Sequence, residues 1–567
     1  MTVDETAPGV SDALGVAEGL LDTADPIAIM RSLRHGLVRA ALRPQAALPA
    51  IVRYGARLAS SAVDVTVRTL AGNLEERVAV DPKDTRFRDV AWSQNPFFRI
   101  LLEGYLNTSK LLAELVEAGD LDETVAPKAE FAASLVSDTL SPTNILVTNP
   151  TALKRAFDTA GLSVARGARN FVLDLVENDG WPRQVDNTPF VLGENMAATP
   201  GKVVFRNDLI EILQYTPQTE EVYEIPLLVC PPWINRYYIA DLAPNKSLIE
   251  WAVQHGHTTF AISYRNPDAS MRDNTFDDYL RLGPLTALDV VRSIAGTHVV
   301  NTLAICLGGT LNTMMLAYLE AVGDRFVNAT TLLNSATDYA DSGLLSDVFT
   351  DPRTIDVMCR RMEDTGFLEA KDMTRTFTML RANDLLFRYV VENWLLGESP
   401  PAFDLLAWND DGTRMPGKAH SYFARKMYIE NALANDKMEA LGERLIMSSI
   451  TTDTYIVAAV EDHIVPWQSS YKSTQLYKGP IRFVLTSSGH IAGIVNPPSP
   501  KVRLWTNDDL PVDPARWLAG ATQHTESWWE DWARWIGERA GARVAPPSTG
   551  SAAYPPLADA PGTYVRS

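Results

Sequence analysis

A chain of 567 residues, 46% of them apolar, is too long for one ordinary domain and too apolar to be disordered throughout. Its formal net charge of -19 argues against a nucleic-acid-binding protein, because DNA and RNA are themselves polyanions. The cysteines, Cys230, Cys306 and Cys359, are too few for a disulfide framework, so we expect a reducing, cytoplasmic environment.

The N-terminus lacks a basic region followed by an apolar core, and we therefore expect no secretory signal. No apolar run reaches the roughly 20 residues that a membrane-spanning helix needs. Any association with a membrane or particle is expected to be peripheral.

The first 200 residues show no alternation of strands and helices, and they predict a mostly helical N-terminal domain over residues 1–200. Apolar residues recur at helical spacing over 95–115. A second helix is predicted over 151–159 after an Asn-Pro pair, and 187–200 is predicted as a connecting loop.

Short apolar runs then alternate with helical patterns, which predicts an α/β catalytic domain over 201–567 with a parallel sheet and crossover helices. The alternation pauses over about 338–447, which predicts a helical cap inserted late in the sheet. Residues from about 546, rich in Pro, Ala and Gly, are predicted as a loosely held tail. The predicted strands are 226–230, 258–264, 299–305, 329–333, 454–460 and 481–485, and the predicted helices between them are 247–255, 284–295, 308–322 and 469–477.

The motif Ala304-Ile-Cys-Leu-Gly-Gly309 joins a predicted strand to a predicted helix, the context that a nucleophile elbow requires. A helix N-terminus favours a thiolate and offers N–H groups to a developing oxyanion, so Cys306 is the candidate nucleophile and the Leu307 N–H the first oxyanion donor. Ala304 replaces the first glycine of the usual pattern and weakens it. The alternative is that Cys306 is a small buried core residue.

Asp462 and His490 follow the last two predicted strands, and together with Cys306 they give the order nucleophile, acid, histidine that is typical of α/β-hydrolases. His463 is the second candidate for the base, because its side chain should point away from that of Asp462. The sequence therefore predicts an α/β-hydrolase fold with a helical cap insertion and a mostly helical N-terminal domain.

Pro231 and Pro232 follow an early strand and have no N–H, so a second oxyanion donor must come from another backbone position. Cys230 is interpreted as a core residue. Arg236 and Arg265 lie in loops after strands and are candidates to bind the phosphates of the substrate. The preferred interpretation is that both side chains are simply solvated at the surface. Trp528, Trp532 and Trp535 share one helical face, which we interpret as packing on the core in preference to a lipid- or polymer-binding face.

Seven stretches in the C-terminal part of the chain resemble the polyhydroxyalkanoate synthases, most closely the long class I type that acts without a partner subunit. Residues 89–106 are also similar to the N-terminal domain of that family, and the resemblance covers roughly 85–545, with Ala304 as the main departure. The stretches are LVCPPWINRYYIADL (228–242), 256–271, the Cys306 elbow, WNDDGT (408–413), EDHIVPW (461–467), SGHIAGIVNPP (488–498), and WLAGA (517–521) with SWW (527–529).

The resemblance implies polymerisation of (R)-3-hydroxyacyl-CoA, with 3-hydroxybutyryl-CoA the first candidate, into polyester with release of CoA. It implies Cys306 as nucleophile, His490 as base, and Asp462 either as the residue that orients His490 or as the one that activates the substrate hydroxyl. Asp241 matches an acidic residue of the family that has a role in elongation. The alternative is that Asp241 is a structural residue at a helix start or in a turn.

The resemblance further implies a homodimer in the cytoplasm at the surface of polyester granules, granule-associated proteins as possible partners, and no cofactor or metal. Two alternatives stay open at this point. One is a cysteine-dependent α/β-hydrolase, either a thioesterase or a dienelactone-type enzyme. The other is a non-catalytic granule-binding protein.

Overall fold

The computed structural model describes residues 26–72, 78–82, 84–340 and 342–567, which fall into two compact units. The first unit comprises the described residues up to Asp186 together with Asp372–Ala402. The second comprises Asn187–Lys371 and Phe403–Ser567. Among these residues no helix is both long and apolar enough to cross a membrane.

The first unit is helical. Helix α1 packs on α5, α2 packs on α4, and α4 and α5 pack on each other. An asparagine followed by proline starts both α4 and α6, with the Asn side chain accepting a backbone N–H of the first turn and Pro at a position that needs no hydrogen bond. The helices are α1 (Pro26–Ala41), α2 (Pro44–Leu70), α3 (Ala91–Gln94), α4 (Pro96–Ala118), α5 (Ala126–Thr139), α6 (Pro150–Asp158) and α7 (Leu162–Glu177).

The segment Asp372–Ala402 lies inside the range predicted as a cap, yet it packs with the helices of the first unit. Trp394 donates its indole N–H to Asp174 of α7 at 2.7 Å, and a methyl group on Gly167 would meet the Trp394 carbonyl oxygen at 1.9 Å. The division of the chain at 200 and the cap over 338–447 stay predictions.

The second unit is built on one mixed sheet of eleven strands in the order β15-β14-β13-β12-β7-β6-β4-β5-β2-β1-β17. The six strands from β13 to β5 run parallel, and antiparallel strands extend the sheet at both edges. The strands are β1 (Gly201–Arg206), β2 (Ile210–Tyr215), β3 (Val222–Tyr223), β4 (Leu227–Cys230), β5 (Thr259–Tyr264), β6 (Val300–Ile305), β7 (Val327–Leu333), β8 (Phe367–Leu368), β9 (Met415–Pro416), β10 (Glu439–Ala440), β11 (Glu443–Arg444), β12 (Asp453–Ala459), β13 (Ile481–Thr486), β14 (Leu504–Thr506), β15 (Thr522–His524), β16 (Arg543–Val544) and β17 (Ala558–Asp559).

Every residue of β5 and β6 is buried, as expected of central parallel strands covered on both faces. The α/β-hydrolase architecture predicted from the sequence is confirmed, and each of the six predicted strands is present. The remaining α-helices are α8 (Leu248–Gln254), α9 (Phe276–Leu280), α10 (Thr286–Ala295), α11 (Leu307–Val322), α12 (Leu344–Phe349), α13 (Pro352–Thr365), α14 (Ala370–Leu380), α15 (Asp404–Asp410), α16 (Gly417–Phe423), α17 (Trp467–Leu476), α18 (Ala492–Val495), α19 (Pro514–Gly520) and α20 (Trp528–Gly537).

The C-terminal residues differ from the loosely held tail that the sequence predicts. Strand β17 pairs with β1 at the edge of the sheet. The fully buried Glu211 carboxylate accepts the backbone N–H groups of Thr563 and Tyr564, both at 3.0 Å. A buried carboxylate needs such donors, and this requirement fixes the segment although its composition resembles that of a linker.

Candidate active site

Cys306 forms a sharp turn between β6 and α11, with φ 51 and ψ -121. Its N–H donates to the Leu333 carbonyl of β7 at 2.9 Å, and its own carbonyl accepts the Gly309 N–H at 2.9 Å. Positive φ is rare for a residue with a side chain and persists where the surroundings enforce it. Here two neighbouring strands and a helix start enforce it, and the thiol stays partly exposed.

Close packing at the elbow requires the two glycines after Cys306. A methyl group on Gly308 would lie 2.3 Å from the Cys230 carbonyl oxygen and 2.6 Å from that of Pro231. One on Gly309 would lie 2.0 Å from the Ser335 hydroxyl oxygen. The start of α11 therefore lies directly against the end of β4.

Ala304 is accommodated without disturbing the elbow. It pairs with Cys230 of β4 and Leu332 of β7 in the ladder and is completely buried. The side chain of a strand residue projects from the face of the sheet, so the departure from glycine adds one buried methyl group there, and Cys306 keeps its sharp turn.

His490 lies between Cys306 and Asp462. Its Nε2 is 3.3 Å from the Cys306 sulfur, and its Nδ1 is 2.6 Å from Asp462 Oδ2. The other Asp462 oxygen accepts the N–H groups of Ile464 and Val465 at 2.9 and 2.8 Å. The structure thus brings together the three residues singled out in the sequence, and it puts His490, not His463, in contact with both partners.

Electrostatics favour a proton on His490. Burial alone lowers the pKa of its imidazole, but the Asp462 carboxylate and the Cys306 sulfur outweigh burial and raise that pKa well above 6.5. The side chains of His490 and Asp462 are only 4% and 0% exposed, so water screens the pair little. The arrangement can hold a thiolate–imidazolium pair, which is a nucleophile ready for attack on a thioester.

Leu307, the residue after Cys306, is the first residue of α11. The start of a helix carries backbone N–H groups without partners in the helix, and the role of the Leu307 N–H as an oxyanion donor stays a prediction. Across from it, the chain after β4 carries Pro231 and Pro232, so the first N–H beyond them belongs to Trp233.

An aromatic wall, formed by Tyr339, Phe423 and Tyr428, lies beside Cys306. It was not predicted from the sequence. Tyr339 shares a 2.8 Å hydrogen bond with Thr310 of α11, and burial, together with nearby Tyr428 and Cys306, raises the Tyr339 pKa well above 10. Phe423 contacts both tyrosine rings. No motif signals these residues, since they come from separate segments of the helical insertion.

Asp241 is buried directly after the 3-10 turn Tyr237–Ala240 and forms an isolated β-bridge with Ser247, the residue that caps α8. It accepts hydrogen bonds from the hydroxyls of Thr199 and Ser247 and a 3.4 Å bond from the Thr199 N–H. Burial raises the pKa of this carboxyl, and the hydroxyl hydrogen bonds partly oppose the shift. This position fits the alternative of a turn acid, and the role in elongation stays a prediction.

Neither loop arginine is free for a substrate phosphate. Arg236 is 6% exposed and donates to Asp411 at 3.1 Å and to the carbonyls of Tyr564 and Ser567 at 3.2 and 2.6 Å. Arg265 pairs with Asp268 at 2.6 Å. Arg236 therefore joins the loop after β4 to the C-terminal residues. Its side chain is buried, and it is not solvated at the surface as the sequence interpretation expects.

Two family models match parts of the chain. Residues 83–252 match the family model described as the N-terminus of poly-beta-hydroxybutyrate polymerase (PhaC), and residues 226–497 match that of the alpha/beta hydrolase fold. The chain is 42% identical over 492 residues to the poly(3-hydroxyalkanoate) polymerase subunit PhaC of Cupriavidus necator, which covers 85% of this chain and 83% of the relative.

Two further relatives extend the likeness. The poly(3-hydroxyalkanoate) polymerase of Methylorubrum extorquens is 40% identical over 92% of this chain and 87% of its own. Poly(3-hydroxyalkanoate) polymerase 1 of Ectopseudomonas oleovorans is 41% identical over 86% of this chain and 87% of its own. The resemblance inferred from the motifs is confirmed, and the chain belongs to the poly(3-hydroxyalkanoate) polymerase family.

Proposed function

We propose that this chain polymerises (R)-3-hydroxyacyl groups from CoA thioesters into polyester, through an acyl intermediate on Cys306. The observation that carries the proposal is the Cys306–His490–Asp462 geometry, a sulfur-to-nitrogen distance of 3.3 Å and a nitrogen-to-carboxylate distance of 2.6 Å, in a chain of the polymerase family. A thiolate suits thioester substrates, because the acyl group moves from one sulfur to another.

In the first half-reaction the Cys306 thiolate attacks the thioester carbonyl. The oxyanion is stabilised by the Leu307 N–H and, in this proposal, by the Trp233 N–H. The new bond from carbon to the Cys306 sulfur forms as the bond to the CoA sulfur breaks. His490 gives its proton to the departing CoA thiolate, and the acyl-enzyme remains.

In the second half-reaction the 3-hydroxyl of an incoming acyl-CoA attacks the acyl–Cys306 thioester. The new ester bond forms as the bond from carbon to the Cys306 sulfur breaks, which leaves the Cys306 thiolate and a chain, longer by one unit, on CoA. The first half-reaction then returns this chain to Cys306 with release of CoA. Neutral His490 accepts the hydroxyl proton. Both Asp462 oxygens already accept hydrogen bonds, from His490 and from two backbone N–H groups, and this supports an orienting role for Asp462 in preference to direct activation of the hydroxyl.

The aromatic wall supports polymerisation over hydrolysis. Tyr339 is buried near the thiol and packs on the buried ring of Phe423, and in this proposal the two side chains limit the access of water to the acyl-enzyme. A thioesterase with the same three residues would instead need water at this point. We propose (R)-3-hydroxybutyryl-CoA as the first substrate to test.

We further propose that the enzyme acts as a homodimer at the surface of cytoplasmic polyester granules, with granule-associated proteins as possible partners. Helix α2 supports the granule part of this proposal, because it exposes a stripe of apolar side chains that suits a water-insoluble polyester surface. The exposed residues are Leu48, Ile51, Val52, Val63, Val67 and Leu70.

The test measures CoA release from (R)-3-hydroxybutyryl-CoA and quantifies polymer in the same reaction, for the wild type, Cys306→Ala and Cys359→Ala. We expect CoA release matched by polymer, lost in the first variant and kept in the second, because Cys359 is a buried residue of α13. Release of CoA with only free 3-hydroxybutyrate would identify a thioesterase. Full activity in Cys306→Ala would remove that residue from the mechanism.

A further inference from the structure

We propose that Trp528 and Trp529 are positioning residues for His490. Each donates its indole N–H to a backbone carbonyl of the short helix that follows His490. The inference rests on the proposed function, and it assigns to these tryptophans a part in the reaction beyond packing.

The hydrogen bonds are specific to the histidine turn. Trp528 Nε1 donates to the Gly493 carbonyl at 3.0 Å, and Trp529 Nε1 donates to the Ile494 carbonyl at 2.9 Å. Both carbonyls belong to α18, which begins two residues after His490. Both indole rings are 1% exposed, so each N–H would lose a buried partner if the turn moved.

Helix α20, which carries the tryptophans, is a firm support. A reciprocal capping box between Ser527 and Glu530 starts it. One turn further on, Trp532 donates its indole N–H to the Thr331 hydroxyl of β7 at 2.8 Å. This bond fixes the helix to the central sheet, and the bonds from Trp528 and Trp529 connect the helix to the turn that carries His490.

The turn has little room to shift without breaking other contacts. A methyl group on Gly493 would lie 2.8 Å from the Ala459 side chain at the end of β12, the strand that leads to Asp462. The Asn334 amide donates to the His490 carbonyl. The turn is therefore held from the side of the sheet as well as from α20.

His490 needs such support because it makes two directional contacts at once. Its ring must keep Nε2 at 3.3 Å from the Cys306 sulfur and Nδ1 at 2.6 Å from Asp462. A displacement of about 1 Å in a supporting turn is enough to lower the rate of a reaction about 100-fold. A tryptophan that only packs would leave these distances unchanged when its N–H is removed.

The test replaces each tryptophan by phenylalanine, which removes the N–H and keeps most of the ring. Trp528→Phe and Trp529→Phe lose a donor to the histidine turn, whereas Trp394→Phe is the matched control, which loses a donor to Asp174 within the first unit. All three variants lose one indole hydrogen bond, so a fall in Tm is expected in each of them.

Two further readouts separate positioning from stability. We expect the kcat for CoA release to fall about 10-fold in Trp528→Phe and Trp529→Phe with KM nearly unchanged, and to stay within about twofold in Trp394→Phe. The pH profile of Cys306 alkylation by iodoacetamide should shift to higher pH in the first two only, because a displaced His490 stabilises the thiolate less.

Equal kcat values and equal alkylation profiles in all three variants would overturn the proposal. Alkylation needs no acyl-CoA substrate. A wild type without polymerase activity would therefore refute the proposed function, while the alkylation profiles would still decide the role of the tryptophans.

Discussion

Asp462 determines how readily His490 carries a proton. Its carboxylate lies 2.6 Å from Nδ1 and is a main reason why the pKa of His490 rises despite burial. Asp462→Asn removes that charge, so the imidazolium, and with it the thiolate, becomes less favourable at neutral pH. We predict a fall of about 10-fold or more in the rate of Cys306 alkylation at pH 7, with the profile moved to higher pH.

Asp241→Asn is the matched control for this residue-scale prediction. It neutralises another buried carboxyl, whose hydroxyl partners are Thr199 and Ser247. Its alkylation profile should match that of the wild type. If Asp462→Asn also left the profile unchanged, the charge of Asp462 would have no part in activating the thiol.

At the scale of elements, the elbow depends on how closely α11 approaches β4. A methyl group at Gly308 meets backbone oxygens of Cys230 and Pro231, which cannot move aside as a flexible side chain could. Gly308→Ala is therefore predicted to push the helix start away from the strand, to cost about 1–3 kcal/mol of unfolding free energy, and to lower kcat. Urea unfolding and CoA release measure the two effects.

Gly104→Ala controls for the general effect of this substitution within a helix. Nothing lies within 4 Å of the added methyl group in α4, so we expect unchanged activity and a gain of about 0.5–1 kcal/mol. If Gly308→Ala behaved like Gly104→Ala, the close approach at the elbow would not be needed for catalysis.

Local patterns predict the elements that carry the triad, because these are long apolar runs with clear ends. Strand β6 was expected over 299–305 and lies at Val300–Ile305. The bonds from Trp528 and Trp529 to α18 were not predicted, since helical spacing reports which face is buried but not which carbonyl an indole reaches. The edge pairing of β17 was missed for a similar reason: two residues in a Pro-rich segment have no strand periodicity of their own.

At the scale of the whole molecule, folding depends on keeping some buried histidines neutral. His257 is 2% exposed and contacts the rings of Tyr223 and Trp532 in tilted arrangements, with centroids 4.8 and 5.9 Å away. Neither of its ring nitrogens has a hydrogen-bond partner among the described residues. Burial, with smaller effects from Arg543 and His255, lowers the pKa of His257 to about 3.

The pKa of His257 makes the stability of the protein sensitive to acid. Below the pKa of about 6.5 expected in the unfolded chain, the unfolded state binds a proton that the folded state does not accept until about pH 3. The unfolding free energy therefore falls by about 1.4 kcal/mol per pH unit in that window for this histidine alone. A shift from pH 7.5 to pH 5 should cost about 2 kcal/mol through His257.

His257→Phe keeps a ring between Tyr223 and Trp532 and cannot be protonated. We predict that its unfolding free energy exceeds that of the wild type by about 2 kcal/mol more at pH 5 than at pH 7.5, measured by urea unfolding at both pH values. His298→Phe, at an exposed position, should show no such difference. If the advantage of His257→Phe were the same at both pH values, protonation of this buried imidazole would not contribute to acid unfolding. The loss of stability in acid would then come from other groups. His420 is the next to test, because it is buried and its pKa is lowered to about 4.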